Sequence, residues 1–240
     1  MPSTNIILSM KKIKIIQVSF EEPLESTELP YFRAAVIEKA GREHVLFHNH
    51  LNDEKHLYKY PRIQYKLIRN KPTIISIEEG TDELQHFFLK PSWDLMIKDK
   101  LYPVKVSKLL VKQYTLQVWN TSFRYYLKRW SGLSQKNFQI YQNITEETEK
   151  IKLLERILIG NILSMAKSLN WQVDKEIQLK IVDLKKKYIS EYKDTKVLCF
   201  DLVFDCNVSL PPYIGLGKHA STGFGIVRGI KVNKHQKQQL

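Results

Sequence analysis

Cysteine is nearly absent: Cys199 and Cys206 are the only two in 240 residues, each alone on an apolar stretch. No CxxC and no Cys/His cluster accompanies them, which excludes a disulfide framework and points to reduced core thiols in a cytoplasmic protein. No apolar run approaches the roughly 20 residues needed to span a bilayer. The opening Met1-Pro2-Ser3-Thr4-Asn5 has neither a cationic n-region nor a cleavage site, so a signal peptide is not expected. No segment sets a basic face against a Trp/Leu face over helical length, which argues against a membrane surface as partner. Low-complexity tracts and short-period repeats are missing, and the only repetition is a weak β/α pattern shared by the two halves. The Gly-Lys-Ser/Thr order of a Walker loop does not occur.

What is present is positive charge. The formal net charge is +13, and hydrophobic residues make up 43% of the chain, enough for a folded protein with a sizeable core. Residues 91–140 carry nine Lys/Arg against Asp94 and Asp99, and residues 211–240 carry five with no acid. These two blocks hold almost all of the excess. The first is interleaved with aromatics in Phe123-Arg124-Tyr125-Tyr126-Leu127-Lys128-Arg129-Trp130. Concentrated positive charge with stacking residues is the footprint of a nucleic-acid ligand. Arg124, Lys128 and Arg129 are candidate backbone contacts to RNA, while Phe123, Tyr125 and Leu127 read as a buried edge of a sheet.

The elements read as α+β. Lys11–Phe20 alternates as a strand, and a helix runs from about Pro30 to Ala40, with Thr27 as a candidate cap and Gly41 as its stop. His44–Leu51, Arg62–Arg69 and Thr73–Ile77 read as extended, and a short helix follows over 81–88. A strand at Leu101–Leu110 closes a split βαβ, ferredoxin-like unit. The second half repeats the theme. Asn143-Ile144-Thr145-Glu146 has the form of a capping box. Ile151, Leu154, Leu158, Ile162, Met165 and Leu169 form one core-facing helical stripe. Two long hairpin strands follow, 177–191 and 196–208, then a glycine-rich loop and a last strand over 225–232. The expected architecture is two tandem ferredoxin-like (RRM-like) domains, residues 1–112 and 113–240, with the glycine-rich loop in the second.

Two motifs carry chemistry. In Leu46-Phe47-His48-Asn49-His50-Leu51 an extended backbone would point His48 and His50 to the same face. Imidazole gives or takes a proton near neutral pH, so such a pair in a basic protein suggests acid–base work on a phosphodiester. Chelation by His48, His50 and His56 or Asp53 is the weaker alternative, since His-x-His can ligate a metal. His44 and His219 read as structural histidines and His86 as a helix-surface residue. In the second motif, Gly215-Leu216-Gly217-Lys218-His219-Ala220-Ser221-Thr222-Gly223-Phe224-Gly225, glycines can turn backbone N–H groups toward an anion beside the Lys218 charge. Arg228 follows on the last strand.

This loop resembles the glycine-rich signature of the repeat-associated RNA-binding proteins of CRISPR systems. Tyr31-Phe32-Arg33-Ala34-Ala35-Val36-Ile37-Glu38, the histidine segment and Tyr60-Pro61-Arg62-Ile63-Gln64-Tyr65-Lys66 follow in an order similar to that of the CRISPR repeat-processing endoribonucleases (the Cas-six type), in a branch with a histidine pair in the N-terminal domain. The resemblance spans roughly residues 31–90 and 196–230. It implies cleavage of precursor RNA within its repeats without metal or other cofactor. The ribose 2′-hydroxyl attacks the adjacent phosphate, leaving a 2′,3′-cyclic phosphate and a 5′-hydroxyl and yielding mature guide RNA for antiviral defence. It implies proton transfer by His48 and His50, a Tyr31 contribution (with Tyr58, Tyr60 or Tyr65 as substitutes) and charge stabilisation by Lys55. RNA contacts would come from Gly215, Gly217, Lys218, His219, Gly223, Phe224, Gly225 and Arg228. The partners implied are precursor and mature repeat RNA, with a homodimer and hand-over to an interference complex left open. The alternative from another class is a non-catalytic RNA-binding subunit of an interference complex.

Overall fold

The computed structural model describes residues 10–48, 50–52, 55–56, 60–192 and 195–231. The chain divides into two compact units. One is built from Ile13–Tyr114 with Tyr213–Ile226, the other from Met1–Lys12, Thr115–Pro212 and Val227–Leu240.

The first unit contains β1 (Met10–Phe20), α1 (Leu29–Ala40), α2 (Val45–His48), β2 (His50–Asn52), β3 (Lys55–His56), β4 (Ile63–Ile68), β5 (Lys71–Ile77), α3 (Glu79–Glu83), α4 (Gln85–Phe88), β6 (Leu95–Ile97), β7 (Lys100–Tyr102) and the start of β8 (Val106–Trp130). Its main strands lie in the order β4-β5-β1-β8. Counted as β-α-β-β-α-β, that is second, third, first, fourth, the ferredoxin-like arrangement. β1 and β5 are antiparallel with Val18 opposite Ile74, and β5 and β4 are antiparallel with Ile74 opposite Tyr65.

Helix α1 forms where a proline in the first turn meets a glycine stop. Gly41 takes φ 117°, open to glycine alone, and its N–H closes on Ile37 O at 3.0 Å. The cap position is Glu28 rather than Thr27, with no side-chain cap. Phe32, Val36 and Ala40, four apart, are fully buried against the sheet. Phe32 packs on Phe20 and Tyr65 with ring centroids 5.7 and 6.2 Å away, and Phe87 meets Phe20 from α4. Each such ring contributes about 1.5–3 kcal/mol by burial.

The second unit takes the rest of β8, then α5 (Gln135–Asn143), α6 (Glu147–Ser168), β9 (Leu179–Tyr192), β10 (Thr195–Val208) and β11 (Ile226–Ile230). Strands run β8-β10-β9, with β11 on the other side of β8. That is again first, third, second with the fourth beside the first, so both units are ferredoxin-like. Where a second crossover helix would stand, the chain instead runs through the glycine-rich segment. The capping box over 143–146 does not form: Asn143 ends α5, and α6 has Glu146 at its cap position with no side-chain cap, whereas α5 is capped by Ser134, whose Oγ accepts from Asn137 N at 3.1 Å. Leu154, Leu158, Ile162 and Met165 of α6 are buried as the stripe requires. Tyr125 and Leu127 are core residues in a strand paired on both sides, not at an edge. β8 is one continuous strand, so residues 112 and 113 are neighbours within it. Cys199 and Cys206 are free and buried, and burial pushes both thiols up to about 11. Among the described residues no helix is long and apolar enough to cross a membrane.

Candidate active site around His48

The histidine segment is not one strand. Val45–His48 is a single helical turn, and β2 begins only at His50. His48 and His50 therefore stand on two different elements, and the strand alternation expected for them does not apply. Asn49, Asp53 and Tyr58 lie outside the described residues, as do the side chains of His50, Lys55 and His56. The backbone pairs His50 with His56 and Asn52 with Lys55 across β2 and β3.

Three contacts hold α2 and its last residue. Arg33 Nη2, from the middle of α1, donates to His48 O at 2.8 Å. Tyr65 OH, from β4, donates to Phe47 O at 3.2 Å. The terminal carbonyls of the turn, which no further turn can satisfy, thus find side-chain donors. The Arg33 guanidinium lies 5.9 Å from the Tyr65 ring, so the two donors also face each other. The His48 ring itself is anchored by Nε2, 2.8 Å from Arg42 O. A carbonyl can only accept, so Nε2 carries a proton, and in the neutral ring the lone pair is on Nδ1. That tautomer suits a base.

Tyr31, on the first turn of α1, is half exposed, and its ring is faced by Lys98 Nζ at 4.9 Å. Tyr60 and Tyr65, the alternatives to it in the sequence, keep their hydroxyls away from solvent. Both phenols are buried, which raises them well above the usual tyrosine range, and Tyr65 OH already donates to Phe47 O.

The glycine-rich segment docks on β4. Gly215 N donates to Gln64 Oε1 at 2.9 Å, Tyr65 N to Ser221 O at 2.8 Å and Leu216 N to Gly225 O at 2.9 Å. Thr222 N returns to His219 O at 2.9 Å. Several of its amides are therefore turned inward rather than toward an anion. Phe224 is buried with the His219 ring at 5.3 Å, so it is a core residue and offers no face for a base. Lys218 is exposed, beside Gly217 at φ 83°.

The basic stretch of β8 divides. Arg124 is held in a two-point ion pair with Asp205, at 2.7 and 2.8 Å. Arg129 sits at φ 53°, gives its N–H to Asp201 at 2.7 Å and its Nη2 to Ser190 Oγ at 2.8 Å. Arg228, on β11, lies near Tyr126. Only Lys128 of the three predicted contacts on β8 is exposed.

Lys66 stands out in the sequence only as part of a motif, yet it lies at the floor of the glycine-rich segment. It is fully buried and donates to Ala220 O at 3.0 Å. The signal for it was the alternation in β4, which puts Gln64 and Lys66 together on the face away from Tyr65. Burial lowers its ammonium from 10.5 to about 7. The unfolded chain holds that proton up to its ordinary value, so between the two the unfolded state binds more protons and stability rises with pH. Going from pH 7 to pH 9, wild type should gain about 2 kcal/mol relative to Lys66→Met, read from urea unfolding at both pH values. Equal gains in both proteins would show that the amine is solvated.

Residues 11–115 match the Cas6b N-terminal domain and residues 117–230 the Cas6b C-terminal domain. The chain belongs to the Cas6b family of CRISPR RNA-processing endoribonucleases. A crystal structure of Cas6b superposes with a TM-score of 0.79 at 28% identity, covering 92% of this chain and all of that one. A second, of the CRISPR RNA processing endoribonuclease Cas6b, gives 0.68 at 26% identity with 92% and 100% covered. An uncharacterised protein of Methanocaldococcus jannaschii is 33% identical over 135 residues, 56% of this chain and 90% of its own length. A CRISPR-associated Cas6 at 13% identity and a TM-score of 0.53 shares the fold.

Proposed function

We propose that this Cas6b-family chain cuts CRISPR precursor RNA within its repeats by intramolecular attack, with no metal at the reacting phosphate. The observation that supports it is the His48 ring, oriented by a backbone carbonyl and set at the end of a turn held by Arg33 and Tyr65. His48 Nδ1 takes the proton of the ribose 2′-hydroxyl as its oxygen bonds to the adjacent phosphorus. The Arg42 carbonyl stays bonded to Nε2–H and steadies the imidazolium that forms. His50, two residues on, supplies the proton to the departing 5′-oxygen, so the bond to that oxygen breaks and a 2′,3′-cyclic phosphate and a 5′-hydroxyl remain. Lys55 offsets the charge of the pentacoordinate phosphorus. Tyr31 lies against the substrate, and Lys218 and Lys128 hold its phosphates.

The test is cleavage of an end-labelled repeat RNA in excess EDTA, followed by end-group analysis. The expected products still appear. The 5′ ends accept phosphate from a kinase directly, and the 3′ ends resist polyadenylation until the cyclic phosphate is removed. Products with 5′-phosphate and 3′-hydroxyl ends would overturn the mechanism.

A further inference from the structure

Apart from His48 and His50, a second histidine cluster stands in the first unit. His44 lies in the turn just before α2, Glu83 closes α3, and His86 sits in α4. Their ligand atoms all lie within 4.8 Å of one another. His44 Nδ1 is 3.2 Å from Glu83 Oε2, and the two imidazoles stack with centroids 3.6 Å apart and planes at 21°. Glu83 and His86 are three residues apart, the spacing that brings side chains to one side of a helical turn. Their partner comes from a segment some forty residues earlier, so an ion here would clamp two chain segments together rather than staple one turn. Glu83 Oε2 is closed to water and accepts no hydrogen bond among the described residues. A shielded carboxylate oxygen whose polar neighbour, the His44 ring nitrogen, is out of line for a hydrogen bond is costly unless a cation meets it.

We propose that His44, Glu83 and His86 bind one zinc-class divalent cation, with water completing its shell. Two imidazole nitrogens and one carboxylate oxygen are a zinc donor set, and too nitrogen-rich for magnesium or calcium. A tetrahedral ion about 2.1 Å from each donor keeps them about 3.4 Å apart. His44 and Glu83 already meet that spacing. The stacked rings do not, because their lone pairs run nearly parallel, so binding rotates His86 out of the stack. The ion then ties the turn that leads into α2 to the α3–α4 pair and holds the helix ending in His48. Its role is to position that turn and not to act on RNA.

The experiment uses the full chain without a histidine tag, stripped by chelator, and titrated with Co2+ alone and then Zn2+. One equivalent of Co2+ should give the visible bands of a low-symmetry site, and Zn2+ should displace it and raise the melting temperature. E83Q, which keeps the size of the side chain at a partly exposed position, should weaken binding by at least the roughly 10–100-fold known for outer-shell partners, and H86A should do the same. A protein carrying both H48A and H50A should still bind one equivalent. Absence of saturable binding, survival of binding in E83Q and H86A, or its loss in the H48A/H50A protein would each overturn the assignment. Cleavage retained by E83Q as purified but lost when chelator is added to that variant would place a different metal at the reacting phosphate, which counts against the proposed reaction and leaves this site standing.

Discussion

His48→Ala is expected to slow single-turnover cleavage of a repeat RNA by roughly 100- to 10,000-fold, and His50→Ala by a similar factor, with RNA affinity little changed. The two act on one proton inventory: one removes the 2′-proton, the other returns a proton to the 5′-oxygen. Losing either stalls the same step, so the double variant should be hardly worse than the slower single one. A repeat carrying 2′-deoxyribose at the cut site should bind and remain uncut by wild type, because the nucleophile itself is gone. His48→Ala also removes the Nε2–H bond to Arg42 O but leaves Arg33 and Tyr65 on the backbone of the turn, so the fold should hold. If each variant cut within about tenfold of wild type, the histidines would not be the proton-transfer pair.

Gly225→Ala should cost at least about 3 kcal/mol of stability and weaken RNA binding with it. Gly225 is held at φ +61°, and a Cβ there would stand 1.8 Å from Leu216 O, the backbone that crosses it. The close approach exists because Leu216 N bonds Gly225 O and Gly215 pairs with Ile226, drawing the two ends of the segment together. Gly229→Ala is the control: nothing lies within 4 Å of a Cβ at that position. It should change stability by no more than about 0.5 kcal/mol, measured by the same urea titration. If both substitutions proved equally mild, the segment would not be docked as described.

Elements whose faces repeat were legible from the chain. The α6 stripe, the β9–β10 hairpin and α1 with its Gly41 stop all follow from period and punctuation, and the ferredoxin-like order followed from their sequence. The turn Val45–His48 was not legible. Four residues are too few to show a helical period, and His-Asn-His reads as alternation whether or not the backbone is extended. Asn143–Glu146 matched a cap in letters, but Ser134 opens the helix before it and Asn143 is already that helix's last residue. Of the proposed site, the two histidines and the exposed Lys218 and Lys128 are visible in the sequence as residue types. Their supports are not: Arg33, the Arg42 carbonyl and Tyr65 reach His48 or its turn from other elements. Arg124 shows the reverse failure, since its Asp205 partner lies 81 positions away and the sequence alone left it looking free for phosphate. The same holds for the glycines, whose local freedom was read as anion binding while Gly223 and Gly225 serve the packing of the segment.

The segment Tyr213–Ile226 completes a unit whose other residues end at Tyr114. On a ribosome, the β4 face that receives it is made early and then waits for roughly 150 more residues, on the order of 7–30 s of synthesis. During that interval Lys66 and Gln64 have no Ala220 carbonyl or Gly215 amide to meet. The amino-terminal unit therefore reaches its finished form only when almost the whole chain has emerged, and a nascent chain released early leaves that face bare.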